Sequence, residues 1–169
     1  TRLQGDWSSD VCSSDLTILV KHHEYEYTLP KFTSTPRWMY LSSLGENSVP
    51  FHHEIASYIK ESGCKLAFQP GTFQIKLGYE ELKDLYEVAE LFFCNKEEAQ
   101  RILESQESDI KSLARGLHER GPKIVVVTDG PNGAYAFDGE DYWRMPMYPD
   151  PAPPVDRTGR SEEHTSELQ

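Results

Sequence analysis

The chain has 169 residues, enough for one domain or part of one. It carries 17 basic against 28 acidic residues, a net charge of −11, which argues against a nucleic-acid partner, because phosphate backbones are recognised by clustered Lys and Arg. No apolar run approaches the roughly 20 residues needed to span a bilayer and no secretory leader is legible, so no membrane partner is expected, and Cys64 and Cys94 lack CxxC or metal-ligand spacing and fit a reducing cytoplasm.

Residues 1–16 repeat Ser-Ser-Asp at 8–10 and 13–15 without apolar periodicity, and residues 160–169 are polar with one Leu. The two segments resemble translations of the two strands of one sequencing-library adapter, so both are expected to be non-native, leaving 17–159 as a partial domain. Residues 17–21 and 25–27 are short β-like runs ended by Leu29-Pro30. Residues 38–44 read as a buried strand stopped by Gly45. In 49–62, Phe51, Ile55, Tyr58 and Ile59 fall on one helical face, with Gly63 as the stop. Residues 65–68 form the next strand, broken by Gln69-Pro70-Gly71.

Leu82, Leu85, Tyr86 and Ala89 give 80–88 a helical spacing, and 91–94 is a short strand. Two helices follow: 96–104 with Ala99, Ile102 and Leu103 inward, and 108–120 with Ile110, Leu113, Ala114 and Leu117 inward. Ser108-Asp109 supply capping chemistry for the second, and Gly121-Pro122 ends it. Residues 124–127 are an unbroken β-branched run, the pattern of a strand buried on both faces of a parallel sheet. Residues 134–137 and 142–145 alternate around Asp138-Gly139, a hairpin signal, and 146–154 hold five prolines and must be extended. Tyr25, Tyr27, Trp38, Tyr40, Phe92 and Phe93 read as core or half-buried residues, and His22-His23 and His52-His53 as surface histidines rather than metal pairs.

This alternation predicts an α/β fold: a doubly wound, mostly parallel sheet with helices on both faces. Right-handed crossovers gather the strand C-termini on one edge, outside which ligands bind in such sheets. Gln69-Pro70-Gly71, residues 95–98 and residues 128–133 all fall there.

Two of these segments, and a third near residue 158, can carry chemistry. Thr128-Asp129-Gly130-Pro131-Asn132-Gly133 directly follows a strand; its glycines admit close backbone approach to an anion and serve a tight turn equally well. It has neither the Walker lysine nor GxGxxG spacing. Asn95 and Glu98 stand at i and i+3 where a strand meets a helix, which suits a capping box and also suits Asn95 on phosphate with Glu98 ordering a water on Mg²⁺. Asp156, Thr158 and Gly159 could begin a Gly-rich anion hole or be a solvated loop.

In this order, Asn95-x-x-Glu98, Thr128-x-Gly130-x-x-Gly133 and Asp156-x-Thr158-Gly159 resemble the nucleotide half of the ribokinase-like (PfkB) carbohydrate kinases. Phe68-Gln69-Pro70-Gly71-Thr72 resembles a strand end of the same family, and the likeness covers nearly all of 17–159. The resemblance implies ATP and Mg²⁺ as cofactors, with Asn95, Thr128, Gly130, Gly133 and Gly159 at ATP and its phosphates and Glu98 on Mg²⁺ through water. It implies a monovalent cation such as K⁺ at Asp156 and Thr158, a small-molecule sugar or nucleoside acceptor, a cytoplasmic location, and a parent that forms a homodimer through a lid.

In the family the segment after Gly159 continues Ala-Gly-Asp, and that Asp is the catalytic base; here Arg160-Ser161-Glu162 follows. Glu162 has the longer side chain and lacks the Ala-Gly backbone, which would misplace it. A phosphotransferase family member whose own chain is inactive is therefore expected. The competing expectation is a non-catalytic nucleotide- or sugar-binding protein of the same fold. Reading the source DNA across the Gly159 codon is expected to continue Ala-Gly-Asp; genomic codons for Arg160 onward would favour the non-catalytic protein.

Overall fold

A computed structural model describes residues 25–149; the expected strand at 17–21, His22-His23, residues 150–169 and with them Asp156, Thr158 and Gly159 lie outside the described residues. In chain order the elements are β1 (Trp38–Leu41), a 3₁₀ turn (Glu46–Ser48), α1 (Val49–Ser62), β2 (Lys65–Phe68), α2 (Thr72–Leu77), α3 (Tyr79–Val88) and β3 (Ala89–Asn95). Then come α4 (Lys96–Leu103), α5 (Ile110–His118), β4 (Ile124–Thr128), a second 3₁₀ turn (Gly130–Asn132), β5 (Ala134–Phe137) and β6 (Tyr142–Met145). The strands lie side by side in chain order. The first four pair in parallel and β5 and β6 antiparallel, the mostly parallel α/β sheet that the sequence pattern predicts.

Helix ends follow local chemistry. Gly63 adopts the left-handed conformation (φ 72°) and returns its N–H to the Ile59 carbonyl, so it terminates α1. Asp109 caps α5 by accepting the Ser112 N–H at 3.0 Å. The hairpin turns at Asp138, whose carboxylate accepts the N–H groups of Glu140 and Asp141. α2 lies in a stretch that no periodicity marks; it starts at Gly71 with the Gln74 side chain accepting the Gly71 N–H at 3.1 Å.

The core sits between the helices and one face of the sheet. Register aligns Leu41, Phe68, Phe92, Val125 and Phe137 across it, and all five are buried. Phe68, Tyr86 and Phe92 meet with centroids 5.0–5.7 Å apart, tying β2, β3 and α3 together. Each such buried ring contributes about 1.5–3 kcal/mol. Burial also pushes the Tyr86 hydroxyl above the usual tyrosine range, so it stays neutral.

The opposite face departs from the sequence expectation. β4 alternates rather than being buried throughout: Val125 and Val127 are inaccessible, Ile124 and Val126 only half-buried. The doubly wound pattern has helices on both faces, and the described residues supply the layer on one. β1 ends at Leu41, not 44, and Trp38 and Tyr40 on it are exposed, as is Tyr25. Residues 25–27 form no strand; Tyr27 stacks on Phe51 of α1 at 5.7 Å and its hydroxyl accepts the Gly45 N–H.

His52 is not a surface histidine: it is fully buried on α1. The Gln74 amide donates to the Ser42 carbonyl at 3.2 Å, so its nitrogen also faces His52 Nε2, 3.5 Å away. Nε2 must then carry the lone pair and Nδ1 the proton, and Nδ1 has no partner among the described residues. Burial first, and the neighbouring His53 second, lower its pKa to about 4, with Asp84 opposing them. An unfolded histidine protonates near 6.5. The stability associated with neutral His52 is therefore complete above about pH 6.5 and is lost as pH falls towards 4, by up to roughly 3 kcal/mol. Urea unfolding across pH 7.5 to 4 should show this loss, and His52→Gln should flatten it; an unchanged slope in the variant would contradict the assignment.

Candidate functional site

β3 and β4 run parallel, and their register sets Asn95 opposite Thr128 at the C-terminal edge of the sheet. Adjacent strands lie about 4.8 Å apart, so the two residues are neighbours although 33 positions separate them in sequence. Asn95 ends β3 and caps α4 in the same step. Its Oδ1 accepts the Glu98 N–H at 2.8 Å, while Glu98 Oε2 accepts the Asn95 N–H at 2.8 Å. This reciprocal capping box satisfies two helix-end donors and holds Glu98 beside Asn95. The cap uses Asn95 Oδ1 and Glu98 Oε2, and the Asn95 side-chain amide nitrogen is a donor suited to a phosphate oxygen.

Thr128 is exposed at the end of β4 and leads into the Gly-rich turn. Asp129 N–H donates to the Gly133 carbonyl at 2.8 Å, Asn132 N–H to Asp129 at 2.9 Å and Gly133 N–H to Gly130 at 3.1 Å. Pro131 has no N–H, so among residues 129–133 the Gly130 amide remains for an incoming acceptor. The two glycines differ in what surrounds them. Gly130 has φ 47° and open space where a Cβ would stand. Gly133 has φ 92°, and a Cβ there would run into the Met145 carbonyl and Pro146. Gly133 is thus required by the close return of β6, and Gly130 is the glycine that faces solvent.

The structure therefore brings Asn95, Glu98, Thr128 and Gly130 to one edge and places Gly133 behind them as a packing residue. Glu97 and Glu98 in the first turn of α4 and Asp129 in the Gly-rich turn make this edge acidic, with Lys96 at the start of α4 and Arg144 donating to the Asn132 carbonyl as nearby cations. Among the described residues no three His, Cys, Asp or Glu side chains gather into a metal-holding set. A single carboxylate at Glu98 nonetheless suits Mg²⁺, which keeps several waters and takes its remaining oxygens from substrate phosphates. A polyphosphate approaching this acidic edge needs such a cation to offset repulsion.

A groove of about 470 Å³ along α4, lined by Glu97, Gln100, Arg101, Glu104, Ser105 and Gln106, shares none of the candidate ligand residues. The first two loops of the edge contain a feature that sequence reasoning missed. Gln74, 1% exposed, joins the Gly71 N–H after β2 to the Ser42 carbonyl after β1. Tyr40 on β1 also donates to the Gln69 side chain. A Cβ on Gly71 would strike Ser43, so the loops touch. The one sequence signal was Gln three residues after Gly71, a capping-box spacing without the usual Ser or Thr.

Residues 34–159 match the sequence profile of the pfkB family carbohydrate kinase. A cytidine kinase from Thermococcus kodakarensis is 35% identical over 80 residues, which are 46% of this chain and 27% of that protein. A fructokinase from Vibrio cholerae O395, solved with fructose, ADP and calcium, superposes with a TM-score of 0.57 at 19% identity over 78% of this chain and 44% of its own. A "putative Ribokinase II" from Escherichia coli, solved with ATP and Mg²⁺, gives 0.56 at 20% identity over 73% and 41%. The chain spans about a quarter of the curated relative and under half of these two structures. No helix among the described residues is long and apolar enough to cross a membrane.

The two glycines provide a test of this geometry. Gly133→Ala is expected to cost at least roughly 2 kcal/mol in urea unfolding, because it adds a backbone clash to a strained φ. Gly130→Ala should cost only about 1 kcal/mol, the left-handed penalty alone. Equal costs would remove the distinction.

Proposed function

The chain belongs to the pfkB family of carbohydrate kinases, and we propose that its Asn95–Thr128 edge is the nucleotide half of a site transferring the γ-phosphate of ATP to a hydroxyl of a sugar or nucleoside. The observation that carries this reading is the register of β3 on β4. It places the Asn-x-x-Glu segment beside the Thr-x-Gly-x-x-Gly segment at the strand ends, where α/β sheets take their ligands. A cytidine kinase as relative and a fructokinase as structural neighbour support small hydroxyl-bearing acceptors of these two classes.

Each residue has a role that its position permits. Thr128 and the Gly130 N–H donate to phosphate oxygens, and Gly133 keeps the turn closed against β6. Asn95 contacts phosphate from the end of β3, and Glu98 orders a water around Mg²⁺, which when bound neutralises phosphate charge. Gly159 as an anion-hole residue, and Asp156 and Thr158 as ligands of K⁺, rest on the sequence motif alone, outside the described residues. We assign residues 17–159 to a partial kinase domain and residues 1–16 and 160–169 to non-native segments. The parent is a cytoplasmic enzyme that pairs through its lid.

This chain does not complete the reaction. The acceptor hydroxyl must lose a proton as the phosphoryl group arrives, and a base contributes only when its carboxylate is held within hydrogen-bond reach. Arg160-Ser161-Glu162 stands where that base is expected, with a longer side chain on a different backbone. The purified chain is expected to release no ADP with ribose, fructose or cytidine, yet to bind Mg·ATP in isothermal titration. Gly130→Val and Asn95→Leu, checked for folding by circular dichroism, should each weaken that binding at least ~10-fold. Turnover would overturn the inactivity, and binding that is absent or unchanged in both variants would overturn the site.

A further inference from the structure

We propose that buried His52 and Gln74 form an acid-released latch that ties the loop after β1 to the loop after β2 at the C-terminal edge of the sheet. Gln74 makes the tie with both ends of its amide. Its Oε1 accepts the Gly71 N–H at 3.1 Å, and its Nε2 donates to the Ser42 carbonyl at 3.2 Å. A backbone N–H must meet the oxygen and a carbonyl the nitrogen, so these two partners fix the orientation of the amide. That orientation in turn fixes the proton on His52. The Gln74 nitrogen stands 3.5 Å from His52 Nε2, and two donors cannot face each other, so the proton sits on Nδ1.

A second proton on His52 is incompatible with this arrangement. It sets an N–H on Nε2 against the Gln74 amide nitrogen. Turning the amide over would offer its oxygen to His52, but would also set that oxygen against the Ser42 carbonyl and the nitrogen against the Gly71 N–H. Neither orientation satisfies all three groups, and both side chains are buried from water that could mediate. Nδ1 finds no partner among the described residues either. The charged neighbours do not rescue the cation: His53 beside it on α1 opposes it, and Asp84 on α3, which favours it, is engaged by His53 at 2.7 Å. Lys76 on α2 and Glu46 in the loop after β1 are exposed, so α2 meets His52 with the neutral Gln74 amide. The imidazolium is therefore hydrated only when the two loops part.

The latch governs one half of the sheet edge. With His52 neutral, the loops touch at Ser43 and Gly71, and the Gln69 N–H donates to the Leu41 carbonyl at 2.9 Å. β2 lies beside β3, whose end carries Asn95, so the tied loops border the Asn95–Thr128 edge. The pairing of β3 with β4 uses none of these groups and stays closed when the latch opens. Segments at such edges can open with a smaller free energy than the whole fold. The acid sensitivity set by His52 therefore begins as a local parting of two loops. The open form binds the extra proton near pH 6.5 and the closed form only near 4, so opening is favoured as pH falls. Between pH 7.5 and 5 the open population rises by up to roughly 30-fold.

NMR of the full chain tests this in two ways. Imidazole ¹⁵N shifts at neutral pH should place the His52 proton on Nδ1. Amide hydrogen exchange over the same pH range, corrected for the intrinsic rate, should show the protection of Gly71 and Gln69 falling at least ~10-fold more than that of Val127 in β4. His52→Gln should abolish this extra fall. Gln74→Glu should abolish or reverse it, because a carboxylate accepts from the protonated ring and holds the latch shut in acid; a residue that merely packs would not change the sign. A proton on Nε2, Gly71 protection that tracks Val127, or an extra fall that persists in His52→Gln would overturn the proposal. The two wild-type readouts decide it even where a substitution fails to fold. None of them involves nucleotide, so the latch and the ATP-site reading fail or stand separately.

Discussion

The parallel pairing of β3 with β4 is the constraint on which the rest depends. It stacks Phe92 on Val125 and Cys94 on Val127 within the core, and in the same register sets Asn95 against Thr128 at the edge. Core packing and site geometry are therefore not independent. A shift of one residue would turn Val125 and Val127 to the helix-free side and carry Thr128 away from Asn95. The hydrophobic cost of exposing the buried row is what keeps two polar residues, distant in sequence, side by side.

The same coupling runs through the helix that follows. β3 passes directly into α4 at Asn95, without a loop, so the last residue of the strand is also the helix cap. Two orphan amides at the start of α4 are satisfied by Asn95 and Glu98, the side chains whose spacing suggests a ligand role. A site built on a cap is rigid, because moving either side chain unties the helix end. The Gly-rich turn is made in the same way. Three of its amides close the turn on itself, and β6 locks Gly133 from behind, which leaves one glycine free to face a ligand.

How much of this was legible in the sequence depends on the range of the interaction that decides each feature. Local chemistry read well: the Gly63 stop, the Asp109 cap, the hairpin at Asp138-Gly139 and the Asn95–Glu98 box are all set within a few residues. Features set by what lies across space did not. Ile-Val-Val-Val reads as doubly buried because its composition is uniform, whereas only register and the helix layer show which two of the four are enclosed. His52 and His53 look alike in sequence, yet α1 turns one into the core against Gln74 and the other out to Asp84. Trp38 and Tyr40 read as core by side chain and are exposed by position. The two motif glycines are likewise equivalent as letters. Only the return of β6 separates the one that packing requires from the one that faces solvent.

The edge that results carries three carboxylates, Glu97, Glu98 and Asp129, which is unusual for the phosphate-binding role proposed for it. Lysine or arginine would attract a polyphosphate directly, but would hold it equally well without a metal. Under the proposed function, Glu97, Glu98 and Asp129 would favour the metal complex of such a ligand over the bare anion. The capping box fixes Glu98 through Oε2 at the position where strand, helix and Gly-rich turn converge, so its placement is set by the same register that sets the core.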